Sequence, residues 1–396
     1  MRVLFIHNEY LQAGGEDVTL AVESEILKEQ GHTVKTLLFQ NLNPADIGNK
    51  LRTGIRAIYN SQSYRVVRDE IISFKPDVIH IHNLFFVASP AVLFAAKRLK
   101  IPVVLTIHNY RLICANAILL RDGKVCELCV HKKLPLSGIR YKCYHDSATQ
   151  SAMVTLFASV HKIIGTWKNK VNRFIVPSHF LKNRLVHSSL NVAEDKFLVK
   201  PNFIPDPGAG QEEREDFFLF VGRLSPEKGI STLCDAFQQM PGVRLIIIGD
   251  GPDRQQVEAR FLDNNRVVVK GWIDKPEVLS YMKRCKALIF PSTWFEGLPF
   301  TIIESFATGT PIIASKLGAM AEMIEDGYNG FHFEVANSQD LHRKIELFLH
   351  LDEKERRQLY NNARATYLNK YHPKIHYQTI LSLYDQVIGE KSVRDV

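Results

Sequence analysis

The chain has no apolar run approaching the roughly 20 residues that span a bilayer, no Asp-x-Asp triplet and no short internal repeat. The first absence excludes an ordinary membrane-spanning helix. The second removes one common acidic pair for holding a divalent cation against a phosphate. The opening Met1-Arg-Val-Leu-Phe-Ile-His7 lacks the layout of a signal peptide and reads as a first buried strand. A cytoplasmic location, at the inner face of the membrane, is the expectation. Cysteine is sparse, with six in 396 residues, and that setting argues against structural disulfides.

What is present describes a folded protein. Hydrophobic residues make up 45% of the chain and charged residues 23%, which excludes a disordered one. The length suits two domains of roughly 150–200 residues. The net charge of +8 is uneven: residues 1–205 hold 27 Lys and Arg against 15 Asp and Glu, and the rest hold 23 against 27. A basic half beside a mildly acidic one points to an anionic partner. Anionic lipid headgroups, a lipid diphosphate and nucleic acid all qualify, and a merely solvated basic surface is the bland alternative.

Short β-branched runs alternate with amphipathic stretches. Strands are expected over 3–7, 34–39, 78–82, 103–107 and 174–176, with helices over 18–29 and 90–99 among them. These runs are apolar on both faces, as in a parallel sheet covered on both sides. The Pro- and Gly-rich stretch 201–210 and the acidic 212–216 mark a domain boundary. A second series follows at 217–221, 243–248, 267–269, 287–290 and 311–314. The fold class is therefore α/β, with two doubly wound Rossmann-like domains. The first spans 1–205, with a cysteine-containing insertion at about 109–147, and the second spans 206–374. A last helix over 375–396 can pack back on either domain, and the first is the one assigned.

Two segments carry chemistry. In the first, the strand at 217–221 runs into Gly222-Arg-Leu-Ser-Pro-Glu-Lys-Gly229. Loops at the carboxyl ends of such strands bind ligands in open α/β sheets. Arg223 supplies a bidentate fork and Lys228 a mobile point charge, a pair suited to a diphosphate. In the second, the strand at 287–290 leads into Glu296-Gly-Leu-Pro-Phe-Thr-Ile-Ile-Glu304. Pro299 fits the first position of a helix, and the amides after it favour a phosphate. One carboxylate lies in the loop and one in the helix, on either side of that anion site. The apolar neighbours Ile302, Ile303, Phe306 and Ala307 argue that Glu304 is buried.

These two glutamates with seven residues between them, preceded by the 222–229 segment, closely resemble the family-four retaining glycosyltransferases of GT-B architecture. The likeness extends to Gly-Gly at 14–15, Thr106-Ile-His108, Val176-Pro-Ser178, Pro201-Asn202 and Gly-Asp-Gly-Pro at 249–252. It implies two domains facing a deep cleft and retention at the anomeric carbon. It also implies roles. Arg223 and Lys228 bind the donor diphosphate, helped by amides around Leu298 and Phe300 and by the backbone of Gly15. Glu304 binds the ribose, with Trp272 and Ile273 near the base. Glu296 contacts the transferred sugar and His108 its reacting face. The family's usual glycine at 299 is proline here, which removes one phosphate-binding amide. His7, His80 and His82 also end strand-like runs and receive no role.

Cys114, Cys126, Cys129 and Cys143 fall within thirty residues, with one two-residue gap. Four thiolates suit a tetrahedral zinc, and only half the spacing is that of a zinc knuckle, so reduced unliganded thiols remain the alternative. A structural zinc is thus a candidate; no cofactor is expected for the reaction. The family resemblance implies as the expected activity transfer of a hexose from a nucleotide sugar, UDP-linked, to a growing lipid-linked glycan of a surface polysaccharide, and the basic first half suggests peripheral association with an anionic membrane. Two other classes stay open: an epimerase or hydrolase of nucleotide sugars on the same fold, and a basic zinc-containing nucleic-acid-binding protein. Against the last, the cationic residues do not alternate with aromatics in an RNA-binding pattern, and no nucleic acid is expected.

Overall fold

The computed structural model describes residues 1–9, 14–41 and 56–394, the side chains of 391–394 excepted. Fourteen strands occur among them: β1 Arg2–Glu9, β2 Thr33–Gln40, β3 Val78–Ile81, β4 Val103–Thr106, β5 Leu120–Arg121, β6 Lys124–Val125, β7 Arg173–Val176, β8 Phe197–Val199, β9 Phe218–Val221, β10 Leu245–Ile248, β11 Val267–Gly271, β12 Leu288–Phe290, β13 Ile312–Ser315 and β14 Gly330–Phe333. They belong to two compact units. One comprises residues 1–119, 126–201 and 376–396, and the other comprises 202–375 with the hairpin 120–125. Among the described residues no helix is long and apolar enough to cross a membrane.

The first unit is a six-stranded sheet in the order β2-β1-β3-β4-β7-β8, every pair parallel. All four residues of β3 and of β4 are buried, which is why both read as continuous apolar runs. The chain order reverses between β1 and β3, the kind of switch point at which such sheets open a crevice. Val3, Phe5, Leu20, Leu27, Val78 and Val104 form one core face. Ile380, Leu383, Tyr384 and Val387 from the helix Pro373–Arg394 complete it. In the helix Gly15–Glu29 the buried positions Leu20, Glu23 and Leu27 recur at three- and four-residue spacing. A glutamate thus occupies the middle of an apolar stripe.

In the second unit the order is β11-β10-β9-β12-β13-β14, again all parallel. Counted within the unit this is 3-2-1-4-5-6, and its switch point falls between β9 and β12. Alternate side chains serve opposite faces: Leu219, Ile246 and Ile248 enter one core and Phe218, Phe220, Leu245 and Ile247 the other. Backbone packs on backbone at the carboxyl edge. Gly229 has φ +70° and a Cβ there would lie 1.8 Å from the Pro291 carbonyl oxygen; one on Gly249 would lie 1.8 Å from that of Gly222. Only glycine permits these approaches, and they fix the loops after β9, β10 and β12 against one another.

The expected strands reappear with ends shifted by one or two residues. Two edge strands, β8 and β14, and the two-residue hairpin β5–β6 are additional. Pro226–Lys228 is a 3-10 turn and the following helix begins at Ile230, with Gly229 in the left-handed region between them. One local reading changes. Pro299 is the N-cap and not the first helical residue: its ring fixes φ at −71° but leaves ψ free, and ψ is an extended 124°.

Candidate active site

The second unit gathers its chemistry at the switch point. Gly222 and Arg223 follow β9, and the loop ending in Glu296 follows β12. The two loops are tied together: Thr293 N donates to the Glu227 carbonyl at 2.9 Å, and Ser292 Oγ lies 3.2 Å from the same oxygen. Lys228 is thereby brought to Glu296. Its Nζ donates to Glu296 Oε1 at 2.7 Å, where Ser292 Oγ at 2.8 Å and Trp294 Nε1 at 2.9 Å also donate. Oε1 is saturated and Oε2 accepts from no described residue, so it is the oxygen left to meet a hydroxyl. The Arg223 side chain is exposed and makes no hydrogen bond or ion pair with a described residue.

Beyond this loop the helix Phe300–Ala307 opens with unpaired amides at Phe300 and Thr301, while Asn202 Nδ2 holds the Leu298 carbonyl at 3.2 Å. Glu304 is buried on that helix and pairs with Lys275 Nζ. Lys275 opens the helix Lys275–Met282 directly after the segment carrying Trp272 and Ile273. Trp272 is 76% exposed, and Ile273 packs on the core. An anion site with one carboxylate near its loop side and another engaged by Lys275, close in sequence to an exposed indole, can bind a diphosphate between a sugar and a nucleoside.

The first unit places His108 just past β4, beside the β1/β3 switch point. It lines a pocket with Glu16, His82, Phe85, Asn109, Arg111 and Phe157. Asn109 Nδ2 donates to Glu16 Oε1 at 2.7 Å, and the Arg111 guanidinium lies over the Phe85 and Tyr144 rings. Burial, and then the neighbouring His82, pushes the His108 imidazole well below its ordinary range. Gly15 is the first residue of its helix; just before it, Asp17 accepts from Gly14 N at 2.7 Å and meets His7 Nε2 at 2.9 Å.

Two family models match the chain in succession: Glycosyltransferase Family 4 over residues 9–206 and Glycosyl transferases group 1 over residues 206–366. The chain belongs to glycosyltransferase family 4. Among relatives of this glycosyltransferase, an uncharacterized glycosyltransferase of Methanocaldococcus jannaschii is 27% identical, and the match covers 92% of each chain. A lipopolysaccharide 1,2-N-acetylglucosaminetransferase of Salmonella typhimurium is also 27% identical, over 50% of this chain and 58% of that one. Of solved structures, an Anabaena protein in complex with UDP-glucose shares the GT-B fold at TM-score 0.65 and 17% identity, covering 98% of this chain and all of that one.

In this glycosyltransferase the other three clustered cysteines lie near enough to Cys129 to act on its thiol, and Gly138 packs beside Cys129. A Cβ on Gly138 would lie 3.0 Å from Ala115 Cβ and 3.9 Å from Cys129 Sγ, and its carbonyl accepts from Cys143 N. Burial, and then the other three cysteines, pushes the Cys129 thiol up to about 11. Among the described residues, however, the one set of three metal-ligating atoms within 4.8 Å of one another is Glu23, His80 and His82. The thiols are spaced more widely than one tetrahedral ion needs. The trio, for its part, already holds a cation: Lys200 Nζ donates to Glu23 Oε1 at 2.8 Å. Sequence reasoning missed Glu23, His82, Lys200, Lys275, Ser292 and Trp294. Ser292 and Trp294 were within reach, four and two residues before Glu296; the others are joined to their partners only by the fold.

Proposed function

We propose that this glycosyltransferase moves a hexose from a UDP-linked donor to a growing, lipid-diphosphate-linked glycan during surface polysaccharide synthesis, with retention at the anomeric carbon. The observation that carries the reading is the fixed triad of donors on Glu296 Oε1 beside the helix start at Phe300. Arg223, Lys228 and the first amides of that helix, with Leu298 and Phe300 at its start, hold the diphosphate. Charge grows on the diphosphate as the glycosidic bond breaks, and donors held in place before the reaction stabilise it. Glu296 Oε2 takes sugar hydroxyls, Glu304 the ribose, and Trp272 with Ile273 the base. Gly15 and His108 serve from the first unit. UDP-glucose in the Anabaena relative and lipopolysaccharide in the Salmonella one support the donor and product classes.

The test is a panel of UDP-, GDP-, ADP- and dTDP-linked hexoses screened for thermal stabilisation of the full chain. Hits are then incubated with and without a lipid-diphosphate-linked sugar acceptor. A UDP-hexose should stabilise the protein, and sugar should reach the acceptor with its anomeric configuration kept. Free sugar released equally without acceptor would make the protein a hydrolase, and an interconverted donor an epimerase. Nucleic-acid binding without any donor binding would overturn the enzyme reading.

Membrane attachment has a candidate surface in the cysteine lobe. Leu134, Leu136 and Tyr141 are exposed there, among exposed Lys132, Lys133, Arg140 and Lys142. Apolar tips set in positive charge suit an anionic bilayer surface. Sedimentation with phosphatidylglycerol-containing vesicles, and not with phosphatidylcholine alone, is the expected result, and Leu134→Ser with Leu136→Ser should abolish it. The nearness of the other three cysteines to Cys129 supports a structural zinc that would draw the thiols in and stiffen this lobe.

A further inference from the structure

A parallel-sheet edge flanked by an amphipathic helix should be lined with apolar side chains, yet at the β1/β3 switch point this chain buries a glutamate, a lysine and histidines. Glu23 Oε1 accepts from Lys200 Nζ at 2.8 Å. Glu23 Oε2 has no hydrogen-bond partner among the described residues and faces His82 Nε2 at 3.4 Å, which has none either. The other nitrogen of that ring, Nδ1, lies 3.1 Å from His108 Nε2. The two rings are inclined by only 22° with centroids 5.3 Å apart. Near-coplanar rings at that separation, joined nitrogen to nitrogen, form an in-line hydrogen bond and not a face-to-face stack. His80 Nδ1 also lies 3.6 Å from Glu23 Oε2, but both of its nitrogens are engaged, by Tyr384 Oη and Thr106 Oγ1 at 2.7 Å each.

The direction of each bond follows from the donor inventory. A carboxylate only accepts, so at 3.4 Å Glu23 Oε2 favours the tautomer of His82 that carries its proton on Nε2. Lys200 already matches the Glu23 charge, and a protonated His82 would add a second cation to the same buried spot. A neutral His82 presents a lone pair at Nδ1, so the proton of the next bond sits on His108 Nε2. His108 Nδ1 then carries a lone pair; it bonds no described residue, and its ring lines the pocket.

We propose that Glu23 and His82 are positioning residues that fix His108 in one tautomer, so that the pocket meets its ligand with a neutral acceptor and therefore takes a hydroxyl there and not a carboxylate or phosphate oxygen. This rests on the reading of His108 as a sugar-facing residue. A carboxylate behind a histidine sets the tautomer of the next group just as outer-shell carboxylates do for metal-binding histidines.

The test is long-range nitrogen–proton NMR of the full chain, uniformly labelled, at pH 7.5. His108 is assigned by the signal that His108→Gln removes. A neutral His108 with the proton on Nε2 is expected. In Glu23→Gln the amide can donate or accept, so His82 is free to reverse and a second His108 tautomer should appear. Glu23→Gln with Lys200→Met removes the lone ammonium if the single variant does not fold. A His108 that is protonated on Nδ1, or on both nitrogens, overturns the proposal; so do His82 and His108 signals that stay unchanged in a folded Glu23 variant. The readout needs no substrate, so its failure leaves the transferase reading standing, and failure of transfer leaves the tautomer result standing. With transfer in hand, His82→Gln should lower kcat at least about tenfold while KM moves less than about twofold, a split that loss of structure alone would not give.

Discussion

Lys228 and Glu296 neutralise each other in the ligand-free chain: the ammonium donates to Oε1 at 2.7 Å, 68 residues away in sequence. The pair orients a carboxylate that has Ser292 and Trp294 as further donors, so Lys228 positions Glu296 as well as offering charge to a diphosphate. The Arg223 side chain, exposed and tied to no described residue, has only the second task. The two substitutions should therefore differ. Arg223→Ala should weaken UDP binding by roughly 10- to 100-fold, the worth of one charge-assisted hydrogen bond of about 1.5–3 kcal/mol, and leave thermal stability unchanged. Lys228→Ala should do the same to UDP and, in addition, weaken binding of the sugar part. Titration calorimetry with UDP and with the stabilising UDP-hexose separates them; unchanged UDP affinity in both variants would sink the diphosphate assignment.

Glu304 tests the other end of the site. Its carboxylate is buried and engages Lys275, next to the segment carrying Trp272. If it holds ribose hydroxyls, Glu304→Ala should weaken the bare nucleotide by roughly tenfold or more, with or without a sugar attached. Lys275→Ala is the control. It frees Glu304 without removing it, so UDP should bind at least as well as to the parent. Loss of UDP affinity in Lys275→Ala but not in Glu304→Ala would transfer the role to the lysine.

Much of this was legible in the chain itself. Runs such as Leu245–Ile248 are apolar at every position because both faces of a parallel sheet are covered, so the strands announce themselves. The chemistry of a doubly wound sheet lies at strand ends, which made Arg223 and Glu296 candidates by position; His108, one of several histidines at strand ends, was singled out only by the family resemblance. Edge strands were harder. Phe197–Val199 has three residues, two of them only half-buried, and such a run does not stand out from a loop. Hardest was the buried ionic network. Glu23 and Lys200 are 177 residues apart, and each looks like an ordinary surface residue until the fold joins them. His82 ends a strand as His7 and His80 do, and only its alignment with His108 sets it apart.

The cysteine lobe makes a separate prediction. If the four thiols close on a zinc, protein purified without chelator should carry about one zinc per chain. Removing it should destabilise the lobe and with it the exposed Leu134 and Leu136. Replacing Cys126 and Cys129 by Ser should abolish the metal, and Cys234→Ser, at a buried position elsewhere, should not. Atomic emission analysis on the parent and both variants decides it. A metal-free parent with four thiols reactive after unfolding would leave the cysteines as packing residues.

The last prediction concerns acid. Burial alone would raise the Glu23 carboxyl; Lys200 and the two imidazoles outweigh it and hold it well below the ordinary 4.5. His80 is likewise held well below 6.5, by burial and then by His82. Both shifts are depressions, so in both cases the unfolded chain takes up protons first as pH falls. The histidine contribution is full above about pH 6.5 and drains below it; that of Glu23 is full above about 4.5 and drains only below that. Each group contributes at most about 1.4 kcal/mol per pH unit. Lys200→Met should reverse the sign for Glu23. An uncompensated buried carboxylate costs about 3–5 kcal/mol at pH 7.5, and its pKa then rises, because burial is left without its counter-charge. Mild acid should recover part of that loss in the variant while it weakens the parent. Urea midpoints followed by the buried Trp167, in a Trp272→Phe, Trp294→Phe background, give the comparison between pH 7.5 and 5. A Lys200→Met chain that loses under about 1 kcal/mol, the range of an exposed pair, or that weakens in acid in step with the parent, would show that the Glu23 charge is not carried by Lys200.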